Sequence, residues 1–71
     1  MDEYSRIVIE QYCSTHNSKK SKHLSKLIGM SYNIASELND DDAIFLEKAI
    51  RSEKNAELKE AMQGLDEFLF G

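Results

Sequence analysis

Apolar residues recur at intervals of three and four along most of this chain, and the breaks in that rhythm divide it into short segments. From about Asp2 to Thr15, Tyr4, Val8 and Tyr12 stand four apart with Ile9 beside them, and acids lie near the start. This is one stripe of a helix whose positive end is matched by carboxylates. Ile7, Val8 and Ile9 would also suit a strand, but no second strand follows for them to pair with, so the pattern predicts helix.

The cluster Ser14-Thr15-His16-Asn17-Ser18 predicts a turn. Asn17 or Ser18 can cap a second helix running to about Ile28 on the face Leu24, Leu27 and Ile28. Gly29 permits the left-handed backbone that ends a helix, and Ser31 can cap a third helix ending near Leu38. Asn39 to Asp42 is a polar break whose aspartates suit the start of a fourth helix over about 41–51, striped by Phe45, Leu46, Ala49 and Ile50. A later stripe, Leu58, Ala61, Met62, Leu65, Phe68 and Leu69, is rotated by about 130° from it on one continuous helix. One straight helix cannot bury both, so a break at about Arg51 to Asn55, capped by Ser52 or Asn55, starts a last helix over about 54–69. With no proline and three scattered glycines, nothing reads as a linker. The expected fold is all-α: one domain over 1–71, a compact bundle of about five short helices.

At the centre, Leu24-Ser25, Ile28-Gly29-Met30-Ser31, Ala35-Ser36 and Leu38 together resemble the helix-turn-helix of the Cro and phage-repressor type, over Ser21 to Leu38. Two helices crossing through a short turn need a small residue where backbones approach, a flexible turn residue and apolar side chains closing the corner. Ser25, Gly29 and the set Leu24, Ile28, Met30, Ala35 and Leu38 match those needs. Ser25 departs from the family's usual alanine, Ala35 from its β-branched aliphatic, and Ile34 stands where a polar residue is common. The resemblance implies a helix-turn-helix at about 18–38 and a small DNA-binding transcriptional regulator of phage or plasmid type. It would act as a homodimer on half-sites about one helical turn apart. Ser31, Tyr32, Asn33 and Ser36 would then face base edges, and Lys19, Lys20, Lys22 and Lys26 would hold phosphate.

Charge sharpens and also opposes that expectation. Residues 11–36 carry four lysines and no carboxylate, so the rest of the chain is at −8 against an overall −4. Asp40, Asp41 and Asp42 follow the expected recognition helix directly, where carboxylates would weaken contact with phosphate. The alternative is an acidic helical interaction module, such as an inhibitor, adaptor or antitoxin-like protein, that binds another protein and no nucleic acid. Phe68-Leu69-Phe70 supports it, since three consecutive apolar residues cannot all face one core. Leu65, Phe68, Leu69 and Phe70 are the candidate dimer or partner contacts. The fold-back of Phe68 and Leu69 onto Tyr4 and Val8 is the plainer expectation.

The remaining classes are expected to be absent. Cys13 and His16 lie three apart near a helix end, in a chain too short to wall off a pocket, so no enzyme is predicted. Cys13, His16 and His23 lack the fourth ligand of a structural zinc site, so no metal and no cofactor are expected. One cysteine excludes an internal disulfide and fits a reducing compartment. No apolar run can span a bilayer, and Met1-Asp2-Glu3 is acidic where a secretory signal is basic, which predicts a soluble cytoplasmic protein. At this size only about 60 to 65 % of the unfolded surface is buried, so stability should be marginal.

Overall fold

Each helix begins where a short polar side chain takes up a free backbone amide, and these caps set the element boundaries. In the computed structural model, which describes residues 1–32 and 38–71, the Asp2 carboxylate accepts from the Ser5 amide at 3.4 Å and opens α1, Glu3–Thr15. The Ser18 hydroxyl accepts from the Ser21 amide at 3.2 Å, while the Ser21 hydroxyl accepts from the Ser18 amide at 2.9 Å; this reciprocal pair opens α2, Lys19–Met30. Asn39 and Asp42 make the same exchange, at 3.0 and 3.2 Å, to open α3, Asp40–Ser52. The Asn55 side chain accepts from the Leu58 amide at 2.9 Å and opens α4, Ala56–Phe70. The described residues therefore form four helices and no strand.

The apolar stripes of all four helices meet in one core of Ile9, Leu24, Leu27, Ile28, Leu46, Ala49, Leu58, Ala61, Met62 and Leu65. α4 packs most extensively on α1, while α2 lies against α1 and α3 against α4. α1 and α4 run in opposite directions: Asp2 and Ser5 lie by Gly64, and Thr15 and His16 lie by Glu53 and Asn55. Gly64 lets the two backbones approach, because a Cβ there would stand 3.1 Å from the Ser5 Oγ. α3 and α4 are separate because their stripes differ in direction, and Glu53 turns to extended backbone between them.

Around Gly29 the structure departs from expectation. α2 runs through Gly29 to Met30, and no described residue has a positive φ. The chain needs no left-handed glycine here because Ser31 serves the helix end. Its amide donates to Leu27 O and Ile28 O, both at 3.1 Å, and its hydroxyl donates to Ile28 O at 2.6 Å. Those contacts satisfy terminal carbonyls that a glycine cap would otherwise serve. Ser31 has helical backbone, φ −66° and ψ −17°, so it closes α2 and is not the extended N-cap of a third helix. Ser25, expected at a close backbone approach, is exposed. Of the expected third helix, Asn33 and Ser36 lie outside the described residues.

Gly29→Ala is accordingly expected to raise stability by about 0.5 to 1 kcal/mol, since the backbone is helical and glycine there costs entropy. A Cβ at this position meets nothing within 4 Å. Urea unfolding followed by circular dichroism measures it. A loss of stability would mean that the left-handed turn forms after all.

Candidate functional site

Two surfaces of opposite charge emerge from this packing. The first is the outer face of α2. Its buried side is Ser21, Leu24, Leu27 and Ile28, so helical periodicity turns Lys19, Lys22, Lys26 and Gly29 outward, and all four are exposed. Lys19 and Lys22 have no carboxylate within ion-pair distance among the described residues. The four expected phosphate lysines are therefore not equivalent.

Lys20 and Lys26 are tied into the fold. Lys20 Nζ donates to Glu53 at 2.7 Å and sits 5.3 Å from the centre of the Tyr12 ring. That hydrogen bond is the main reason the Glu53 carboxyl is held below its ordinary range. Lys26 Nζ lies 3.8 Å from Asp42. Both were expected to hold phosphate, and each already faces a carboxylate, which offsets the attraction a phosphate would feel. Lys26 remains half-exposed beyond its partner.

Asp42 is the second correction. It was expected only to favour a helix start, yet it is 1 % exposed. Its carboxylate can only accept, so His23 carries the proton on Nε2 and donates at 2.7 Å. The His23 ring stacks on Phe45 with centroids 3.8 Å apart. The hydrogen bond with His23 is the chief reason the Asp42 carboxyl titrates below its usual range; the Asn39 amide and Lys26 add to it, and burial opposes it. This cluster fastens α2 to the start of α3.

The second surface is a groove along α1 and α4. Asp2, Tyr4 and Ser5 of the α1 end face Glu57, Glu60, Ala61, Gln63, Gly64 and Glu67 of α4 around a depression of about 320 Å³. It adjoins another of about 380 Å³, walled by Val8, Tyr12, His16 and Leu58, and Glu57 lines both. The small residues Ala61 and Gly64 lower the floor. Glu57, Glu60 and Glu67 recur three and seven apart, one helical edge, and all are exposed. Among the described residues none of Asp2, Glu57, Glu60 and Glu67 forms an ion pair with a side chain, and the amino terminus of Met1 lends Asp2 a weak attraction. Tyr4, 60 % exposed, donates its hydroxyl to Glu57. That bond, with burial and the charges of Glu57 and Glu60 behind it, raises the Tyr4 hydroxyl above its ordinary range.

The other expected sites separate as well. Leu65 is 0 % exposed, a core residue, so its place among the dimer or partner contacts is corrected. Leu69 packs partly against the core, while Phe68 is 51 % and Phe70 38 % exposed. Tyr32 is 65 % exposed just beyond α2. Cys13 donates its thiol to Ser21 O at 3.3 Å, and His16 stacks on Tyr12 at 4.1 Å. Among the described residues no three acidic, histidine or cysteine side chains gather as a metal site would require, and no helix is long and apolar enough to cross a membrane.

Reading the sequence alone missed Tyr4, Glu57, Glu60, Glu67 and Asp2 as one surface. The signal present was the edge Glu57, Glu60, Glu67 beside Ala61 and Gly64; that α1 lies across it is a tertiary fact. No protein-family model, curated protein or solved structure matches this chain.

Proposed function

We propose that this chain is a small helical interaction module that holds a cationic segment of a partner protein in the acidic groove between α1 and α4. The observation that carries this reading is the convergence of Asp2, Glu57, Glu60 and Glu67, without side-chain ion pairs among the described residues, on a depression floored by Ala61 and Gly64. Like charges held side by side repel, and a lysine- or arginine-bearing helix laid in the groove removes that repulsion while gaining attraction. Exposed Tyr4 offers a ring face for cation–π contact. The groove form suits an amphipathic helix.

A second reading, the DNA-binding regulator with Asn33 and Ser36 at base edges, is favoured by one observation: Lys19 and Lys22 stand exposed without carboxylate partners among the described residues. Against it weigh the ion pairs of Lys20 and Lys26 and the helical Gly29. A homodimer and a cytoplasmic location belong to that reading as proposals.

One titration decides between them. A labelled helix-forming peptide of lysine, leucine and alanine, and separately a labelled DNA duplex, are titrated with the protein at two salt concentrations and followed by fluorescence anisotropy. The groove reading expects peptide binding that Glu57→Gln with Glu60→Gln weakens at least about tenfold. Glu10→Gln with Glu47→Gln, which removes the same charge from other faces, leaves it within about twofold. If both pairs of substitutions weaken it equally, attraction is merely to net charge and the groove reading fails. Duplex binding that Lys19→Ala with Lys22→Ala weakens, with a salt slope lower by about two units, would support the regulator instead.

A further inference from the structure

We infer that copies of this chain associate head to tail, the outer face of α2 in one copy lying in the α1–α4 groove of the next. This rests on the groove reading above and names its partner as a second copy. The chain itself carries a helix of the chemistry that the groove requires. Lys19, Lys22 and Lys26 fall at i, i+3 and i+7 of α2, a ladder about 10 Å long. Glu57, Glu60 and Glu67 fall at i, i+3 and i+10 of α4, about 15 Å. The step of three shared by the two sides lets Lys19 and Lys22 meet Glu57 and Glu60.

The shapes agree with the charges. Gly29 and Ser25 leave the outer face of α2 without bulk, so it can be laid along the rim of the groove where Glu57, Glu60 and Glu67 stand exposed. Lys19 and Lys22 are exposed and have no ion-pair partner among the described residues, while Lys26 reaches past Asp42 with about half of its side chain exposed. Tyr4 and Phe68, both more than half exposed, stand on the groove side: Phe68 continues the α4 stripe of Glu57, Ala61 and Gly64, and both offer apolar contact to lysine stems.

The geometry also sets the kind of assembly. Because the donor face and the acceptor groove are different surfaces, each copy can use both, and the contact extends into chains or closes into rings; it is not a two-fold dimer. Since the matched groups are exposed charges, added salt weakens it.

Sedimentation velocity over a range of concentrations tests this, with wild type, Lys19→Ala/Lys22→Ala and Glu57→Gln/Glu60→Gln, each checked for unchanged helix content by circular dichroism. Wild type is expected to grow in mass with concentration at low salt and to return to monomer at high salt. Each variant alone loses at least about tenfold in association. Mixed, they form a dimer and nothing larger, because only the intact groove of one and the intact α2 of the other can meet. A wild type that stays monomeric at every concentration, or variants that assemble like it, would overturn the inference. If wild type is monomeric yet still binds the lysine peptide at Glu57 and Glu60, the groove reading stands and only the second copy is excluded. If neither binds, both fall.

Discussion

Leu65→Ala is expected to cost about 2 to 5 kcal/mol, because it removes a fully enclosed side chain and leaves a cavity between α4 and its neighbours. Against a total of about 4 to 10 kcal/mol for a domain of this size, that loss removes a large share of the stability. Phe68→Ala, only three residues on, should cost about 1 kcal/mol, since half of that ring already meets water. Urea unfolding followed by circular dichroism compares the two. The contrast matters because both residues belong to the same apolar stripe in the sequence. If Leu65→Ala stayed as stable as wild type and changed only the state of association, its placement in the core would be refuted.

Asp42→Ala is expected to lose about 3 kcal/mol, close in size to the first. The substitution removes the reciprocal cap with Asn39, and it strips His23 and Lys26 of the carboxylate that joins α2 to α3. Loss of a cap alone is worth about 1 kcal/mol, and breaking a buried charged contact by deleting one partner accounts for the larger part. The pH dependence follows in sign. Asp42 titrates below 3.8 when folded and near 3.8 when unfolded, so the unfolded chain takes up the proton first as pH falls. Its stabilisation is complete above about pH 4 and is lost as pH drops through the folded value. Glu53, lowered from 4.5 by its bond to Lys20, adds in the same direction. Wild type should therefore lose urea resistance between neutral pH and pH about 3, and Asp42→Ala should lose less over the same interval. Equal pH slopes for the two would show that Asp42 is not the group responsible.

The helices were legible where local chemistry decides them. Ser18 caps α2 and Asn55 caps α4, as short polar side chains placed just before apolar stripes would. The change of direction between the stripes of Leu46 and Leu58 required the break at Glu53. At Gly29 the same logic failed, because glycine permits a left-handed residue without demanding it, and the hydroxyl and amide of Ser31 met the terminal carbonyls first.

By itself the sequence determined an all-helical chain, its cap residues, the identity of most core positions and the gathering of positive charge on one helix. These depend on neighbours within four residues, whose spacing is written in the chain. Only the tertiary structure decided that Lys20 and Lys26 are paired, that Asp42 is sealed against His23, and that Tyr4 and Asp2 complete an acidic groove with Glu57, Glu60 and Glu67. Glu53 and Lys20 are 33 residues apart and Tyr4 and Glu57 are 53 apart; which distant charges meet is set by the direction in which the buried stripes turn their helices, and that direction exists only once the core has closed.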